Sequence, residues 1–273
     1  MSAGMERKYE VMTSDEINNT LYEKPVALEL RKVGKTFRSD TGAKVRALEN
    51  VNLLVRQGEF VTLVGATGCG KTTLLNLIAG LDTSDDGYVS LGEGLRFGDN
   101  IAHVFQHYTL FPWRTTVSNI EFGLQMRGVP RTERHNRAAA LLAKVGLKGF
   151  ENAYPHELSG GMRQRAAIAQ ALAIEPKVLL MDEPFGAVDD STRTELQQML
   201  TDLWQENQIT ILFVTHNIDE AIALGSRVLV FSERPGKIAY EFKIDLPRPR
   251  NGMTDEFTKL FIQIRTALSG QLD

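Results

Sequence analysis

"FVTLVGATGCGKTTLLNLIAG", residues 60–80, decides the fold. Its first five residues, mostly apolar and rich in β-branched side chains, read as a strand. "KTTLLNLIAG" (71–80) reads as a helix stopped by Gly80. Between them, "GATGCGKT" (65–72) matches G-x-x-x-x-G-K-[ST] with the strand before it and the helix after it that this motif requires. Gly65, Gly68 and Gly70 let backbone N–H groups close around phosphates, with Ala66, Thr67, Cys69 and Thr73 completing the cradle. Lys71 is expected to reach the β and γ phosphates, and the Thr72 hydroxyl to ligate Mg²⁺. Cys69 lies near a helix N-terminus, where thiols are often reactive, so its alkylation is expected to block nucleotide binding.

Outward from this loop, a strand-like pattern runs from 26–33 through 51–65, broken by Gly58, and strands are expected at 87–91 and 101–105. Helices are expected at 116–127 and 131–146, with no convincing strand between 107 and 165. Alternation then resumes with "VLLM" (178–181), a helix burying Leu196, Met199, Leu200, Leu203 and Trp204, and "ITILFVT" (209–215). A helix from about 217, strands at 227–232 and 237–244, and an amphipathic helix at 254–268 complete the series. The pattern is a mainly parallel α/β core (25–250) with a helical insertion at about 107–165, flanked by a polar extension (1–24) and a short tail (251–273).

The chain has 273 residues, 42% apolar and 24% charged, a composition usual for a globular protein. A net charge of -3 offers no basic surplus for nucleic acid. The single cysteine excludes an internal disulfide framework and fits a reducing compartment. The first twenty residues lack the apolar core of a secretion signal, and no window is long and apolar enough to span a membrane. A membrane role is therefore expected to be played from the surface.

A hydrolase needs a second metal anchor and a group to orient water. "VLLMDEP" (178–184) offers both at the end of a buried strand. Asp182 is expected to hold Mg²⁺ through its water shell, and Glu183 to act as general base on water. "LSGGMRQR" (158–165) is a second run of small residues opening a helix, and so a second place where orphan N–H groups face outward.

With these three motifs together, the chain resembles the ATP-binding subunits of ABC transporters over roughly residues 26–246. The resemblance implies a P-loop NTPase core with a mainly parallel sheet, an N-terminal antiparallel β subdomain and an inserted helical subdomain. It also implies a head-to-tail homodimer in which each ATP lies between the phosphate loop of one chain and Ser159, Gly160 and Gly161 of the other. The dipole at a helix start supplies only about 0.3–2 kcal/mol, too little to hold a dimer, so ATP must join both halves. Position within the family pattern makes Gln106 the glutamine that contacts Mg²⁺ and the attacking water, and His216 the histidine that contacts the γ-phosphate and orients Glu183. Asp189 matches the aspartate that communicates across the dimer, although Val188 stands where leucine is usual. Phe37 in "GKTFRSD" is the candidate for stacking on adenine.

"PWRTTVSNI" (112–120) and the late "RPGK" and "DLPRPR" resemble the nitrate, sulfonate and taurine importer branch. That resemblance implies separate permease subunits, an extracytoplasmic solute-binding protein, and a place on the cytoplasmic face of the membrane. Trp113 and Phe111 read either as core of the helical lobe or as part of a surface that docks a permease helix. An exporter ATPase shares the core motifs. A soluble ABC ATPase of DNA repair or translation would bring coiled-coil insertions or two cassettes, and a P-loop kinase has no use for "LSGG".

Overall fold

The computed structural model describes residues 24–38, 42–107, 109–250, 252 and 254–271. Nearly all of the expected N-terminal extension, residues 1–23, lies outside them.

Two sheets organise the chain. The larger has six strands in the order β5-β6-β7-β3-β8-β9. Its members are β3 (Phe60–Val64), β5 (Ile101–Val104), β6 (Val178–Asp182), β7 (Thr210–Thr215), β8 (Arg227–Phe231) and β9 (Ile238–Lys243). All pair in parallel except β9, which runs antiparallel to β8. β3, β6 and β7 are buried along their whole length. Their alternate residues feed two different cores, as the two-residue period of a strand dictates. Leu179, Met181, Ile211 and Phe213 face one side, with the helical lobe. Val178, Leu180, Leu212 and Val214 face the other, with α1 (Lys71–Ala79). The smaller sheet is antiparallel, β2-β1-β4, from β1 (Val26–Arg38), β2 (Lys44–Arg56) and β4 (Asp86–Leu91). β1 runs five residues beyond the stretch its composition suggests, because Phe37 and Arg38 pair with Val45 and Lys44.

Between β5 and β6 the described residues are helical or irregular, with α2 (Thr116–Met126), α3 (Arg131–Lys144) and α4 (Gly160–Leu172). The expected lobe boundary near 165 falls inside α4, whose buried Ala166, Ile168, Ala169 and Leu172 carry it on into the core. α5 (Asp190–Asn207) buries Leu196, Met199, Leu200 and Leu203 as its spacing demands. Trp204 is the exception. It is only half-buried, set edge-on to Phe60, and its indole N–H donates to Gly58 O at 3.1 Å. A polar ring edge needs a partner, and the sheet margin provides one. α6 (Ile218–Leu224) and α7 (Asp255–Leu268) cover the β8–β9 side.

Because β3, β5, β6, β7 and β8 are parallel, their C-terminal ends share one edge of the sheet. The loops that leave those ends carry Gly65–Gly70, Gln106, Glu183, His216 and Arg234. Ligands bind at such an edge in open α/β sheets.

Candidate active site

That edge holds a cavity of about 960 Å³. The phosphate loop forms its floor: Gly65, Ala66, Thr67, Gly68, Gly70, Lys71, Thr72 and Thr73 all line it. Gly70 precedes α1 as its N-cap with φ 109°, and a β-carbon there would lie 2.8 Å from Ala47 O. Only glycine fits, and it leaves the helix's first N–H groups without a side-chain cap. The Lys71 ammonium is buried and donates to Gly65 O at 2.8 Å and Ala66 O at 3.0 Å. Cys69 differs from its neighbours. The residue is only 3% exposed, its sulfur lies between the apolar core and the Lys71 ammonium 3.8 Å away, and it does not line the cavity. Alkylation therefore needs the loop to open first.

At one end of the cavity Phe37 is 42% exposed, beside Arg38, Val45 and Ala47. Its ring is partly open to solvent, with the Lys35 ammonium 5.4 Å from the ring centre. At the other end three side chains meet. Glu183 Oε2 lies 3.1 Å from His216 Nδ1 and 3.5 Å from Gln106 Nε2. Glu183 has φ 43°, an uncommon left-handed conformation for a non-glycine residue. Its amide donates to Val214 O at 2.9 Å, which ties the turn after β6 to β7.

Asp182 is buried behind this group. Burial pushes its carboxyl above the usual range, a hydrogen bond from Thr72 opposes that, and Glu183 pushes it up again. A buried carboxylate beside a hydroxyl, with a glutamine nearby, suits a hard divalent cation that keeps part of its water. Among the described residues no group of three or more His, Cys, Asp or Glu side chains forms a closed metal cage. The donor set instead fits an ion that shares its shell with substrate phosphates.

Ser159, Gly160, Gly161 and Asp189 stand apart: none lines the cavity. Ser159 is the N-cap of α4, and its hydroxyl accepts from Met162 N at 3.2 Å. Asp189 caps α5, accepting from Thr192 N and from the hydroxyls of Ser191 and Thr192. These bonds hold its carboxyl far below the ordinary range. Arg38, Val45, Ala47, Arg234 and Leu268 also line the cavity, and sequence reading missed them. None sits in a phosphate motif. Only strand pairing and the packing of α7 bring them there.

Trp113 is 72% exposed, so it is not lobe core. The 111–115 loop that presents it is gripped by the buried Asn119, whose side chain accepts from Phe111 N at 2.7 Å and donates to the carbonyls of Phe111, Arg114 and Thr115.

A phosphate-loop motif at the edge of a parallel sheet, in one cavity with glutamate, glutamine and histidine, is the arrangement of an ATP-hydrolysing cassette. A family model described as ABC transporter matches residues 48–186. The nitrate import ATP-binding protein of Synechocystis sp. is 46% identical over 256 residues, covering 89% of this chain and 96% of that protein. The taurine import ATP-binding protein of Rhizobium johnstonii is 46% identical over 78% of this chain and 82% of its own length. A solved dimeric ATP-binding cassette, in a post-hydrolysis state bound to ADP and Pi, superposes with a TM-score of 0.70. It is 34% identical, covering 80% of this chain and 98% of that one. The chain belongs to the ABC transporter ATP-binding family, and it is an ATPase.

Proposed function

We propose that this chain is the ATP-hydrolysing subunit of an importer for a small oxyanion, nitrate or a sulfonate such as taurine. It works as a homodimer in which each ATP touches the phosphate loop of one protomer and Ser159, Gly160 and Gly161 of its partner. The observation that carries this reading is the division of the motif residues. Lys71, Thr72, Gln106, Glu183 and His216 share one cavity, whereas Ser159 and Asp189 lie outside it. A second copy is the natural way to bring the outlying pair to a nucleotide.

Within the cavity, Phe37 stacks the adenine, and the loop amides with Lys71 hold the phosphates. Glu183 accepts a proton from the attacking water, its carboxylate aimed by Gln106 and His216. Thr72, Asp182 and Gln106 are the residues that would hold Mg²⁺, which when bound offsets negative charge on the phosphate oxygens. Dimer closure and reopening pass from Gln106 to the adjoining 109–124 segment. The exposed Trp113 there meets a separate permease subunit on the cytoplasmic face of the membrane. No described helix is long and apolar enough to cross a membrane itself. An extracytoplasmic binding protein delivers the solute, so solute choice lies outside this chain.

The test is to purify the chain from membranes with its associated subunits, reconstitute them, and measure ATPase activity with the binding protein and a panel of oxyanions. Stimulation by one oxyanion is the expected result. A tightly associated permease whose ATPase responds only to a solute on the cassette side would favour the exporter alternative instead.

A further inference from the structure

Strand β8 is parallel to β3, so the loop after it, "SERPGK" (232–237), emerges beside the phosphate loop. Arg234 from that loop donates to Gly68 O through Nε at 3.1 Å and Nη2 at 2.7 Å. It is exposed, and it lines the cavity. The backbone that carries it is fixed from both sides. Gly236 N donates to Ala47 O at 2.8 Å, and Glu49 N donates to Gly236 O at 3.1 Å. A β-carbon on Gly236 would lie 2.2 Å from Cys69 O, so the loop's main chain rests directly on the phosphate loop. The Ser232 hydroxyl donates to Pro235 O at 3.1 Å and accepts from Lys237 N at 3.1 Å, which closes the turn.

We infer that Arg234 is a positioning residue of the nucleotide site: its guanidinium holds the Gly68 carbonyl outward and so keeps the phosphate loop in the conformation that presents its N–H groups inward. Gly68 has φ 78°, and the peptide that follows it donates its N–H to Ala66 O at 3.3 Å, closing the turn of the loop, while its carbonyl is turned outward to Arg234. Two donors from one planar fork fix that orientation in a way a single flexible ammonium does not. Arg234 acts on the loop's backbone and not on any one phosphate, so the effect is on nucleotide affinity in general. The inference rests on this cavity being the nucleotide site, and a Lys71→Ala control tests that reading by itself.

The experiment compares wild type, Arg234→Ala, Arg234→Lys and Lys71→Ala. It measures affinity for ADP and for a non-hydrolysable ATP analogue, steady-state KM and kcat, amide exchange and the thermal midpoint. Arg234→Ala is expected to weaken both nucleotides by a common factor, about three- to tenfold for a partly exposed charge-assisted pair. KM bears the loss more than kcat, exchange quickens at the 66–70 amides, and Arg234→Lys restores only part of the affinity. Unchanged affinity overturns the inference. So does a loss confined to the triphosphate, which would make Arg234 a direct γ-phosphate contact. A fall in thermal midpoint with faster exchange throughout also overturns it, by making the residue a general stabiliser. Wild-type affinity in Lys71→Ala would instead sink the site assignment.

Discussion

The phosphate loop (65–72) and the signature turn (158–161) are both runs of small residues that lead into a helix, yet the fold surrounds them differently. The loop lies at the edge where five parallel strands end, and residues from four other strand ends and from the antiparallel sheet enclose it. The signature turn heads α4 at the rim of the helical lobe, its serine already used as a cap, with no catalytic side chain of its own chain in the same cavity. One is a floor with walls. The other is a lid with nothing beneath it. A sheet edge collects residues from distant parts of one chain, whereas a helix start on a peripheral lobe waits for another molecule.

The comparison breaks most sharply in a mixing experiment. Lys71→Ala and Ser159→Arg are each expected to abolish ATPase activity in homodimers. Random pairing of the two chains leaves one intact composite site per heterodimer, so co-expression restores about a quarter of the wild-type sites. No recovery in the mixture would place complete sites within single protomers. Next in size, Glu183→Gln should lower kcat about 10²–10⁴-fold while nucleotide binding persists. Light scattering with ATP should then find dimers accumulating. Turnover near wild type would remove Glu183 from its role.

Phe37→Ala sharpens the description of the walls. Stacking on a base contributes about 1–3 kcal/mol, so KM for ATP should rise about five- to 150-fold with little change in kcat. An unchanged KM would move the adenine elsewhere. The smallest effect concerns the strand between the two regions. His103 on β5 is largely buried, both its ring nitrogens lack a hydrogen-bond partner, and burial pushes its pKa down to about 4. The folded state keeps the ring neutral while the unfolded chain takes up a proton below about pH 6.5. This part of the stability is complete above 6.5 and is lost as pH falls towards 4. Thermal midpoints should drop across that window, and His103→Phe should flatten part of the drop. An identical acid profile in the variant would show that other groups set it.

Much of this was legible in the sequence because the informative residues sit at strand ends. A buried strand is read from its apolar run, and the residue just past it inherits a place at the catalytic edge. That logic points to Asp182 and Glu183, whereas Gln106 and His216, at neighbouring strand ends, are singled out only by the family resemblance. It could not reach Arg234, whose place depends on β8 pairing with β3 across more than a hundred and fifty residues. Nor could it tell which way Cys69 turns, since the motif fixes the loop's backbone and leaves that thiol to the core. The two readings of Trp113 were separable only by packing: Asn119 ties down the loop beneath it and leaves the indole in solvent.

The left-handed backbone at Glu183 has a further consequence. A non-glycine residue held there stores about 1–3 kcal/mol that the surrounding fold must supply. Glycine at 183 would release that tension, so the inert chain it produces should melt higher than the working one. Selection for robustness and selection for turnover therefore pull this position in opposite directions.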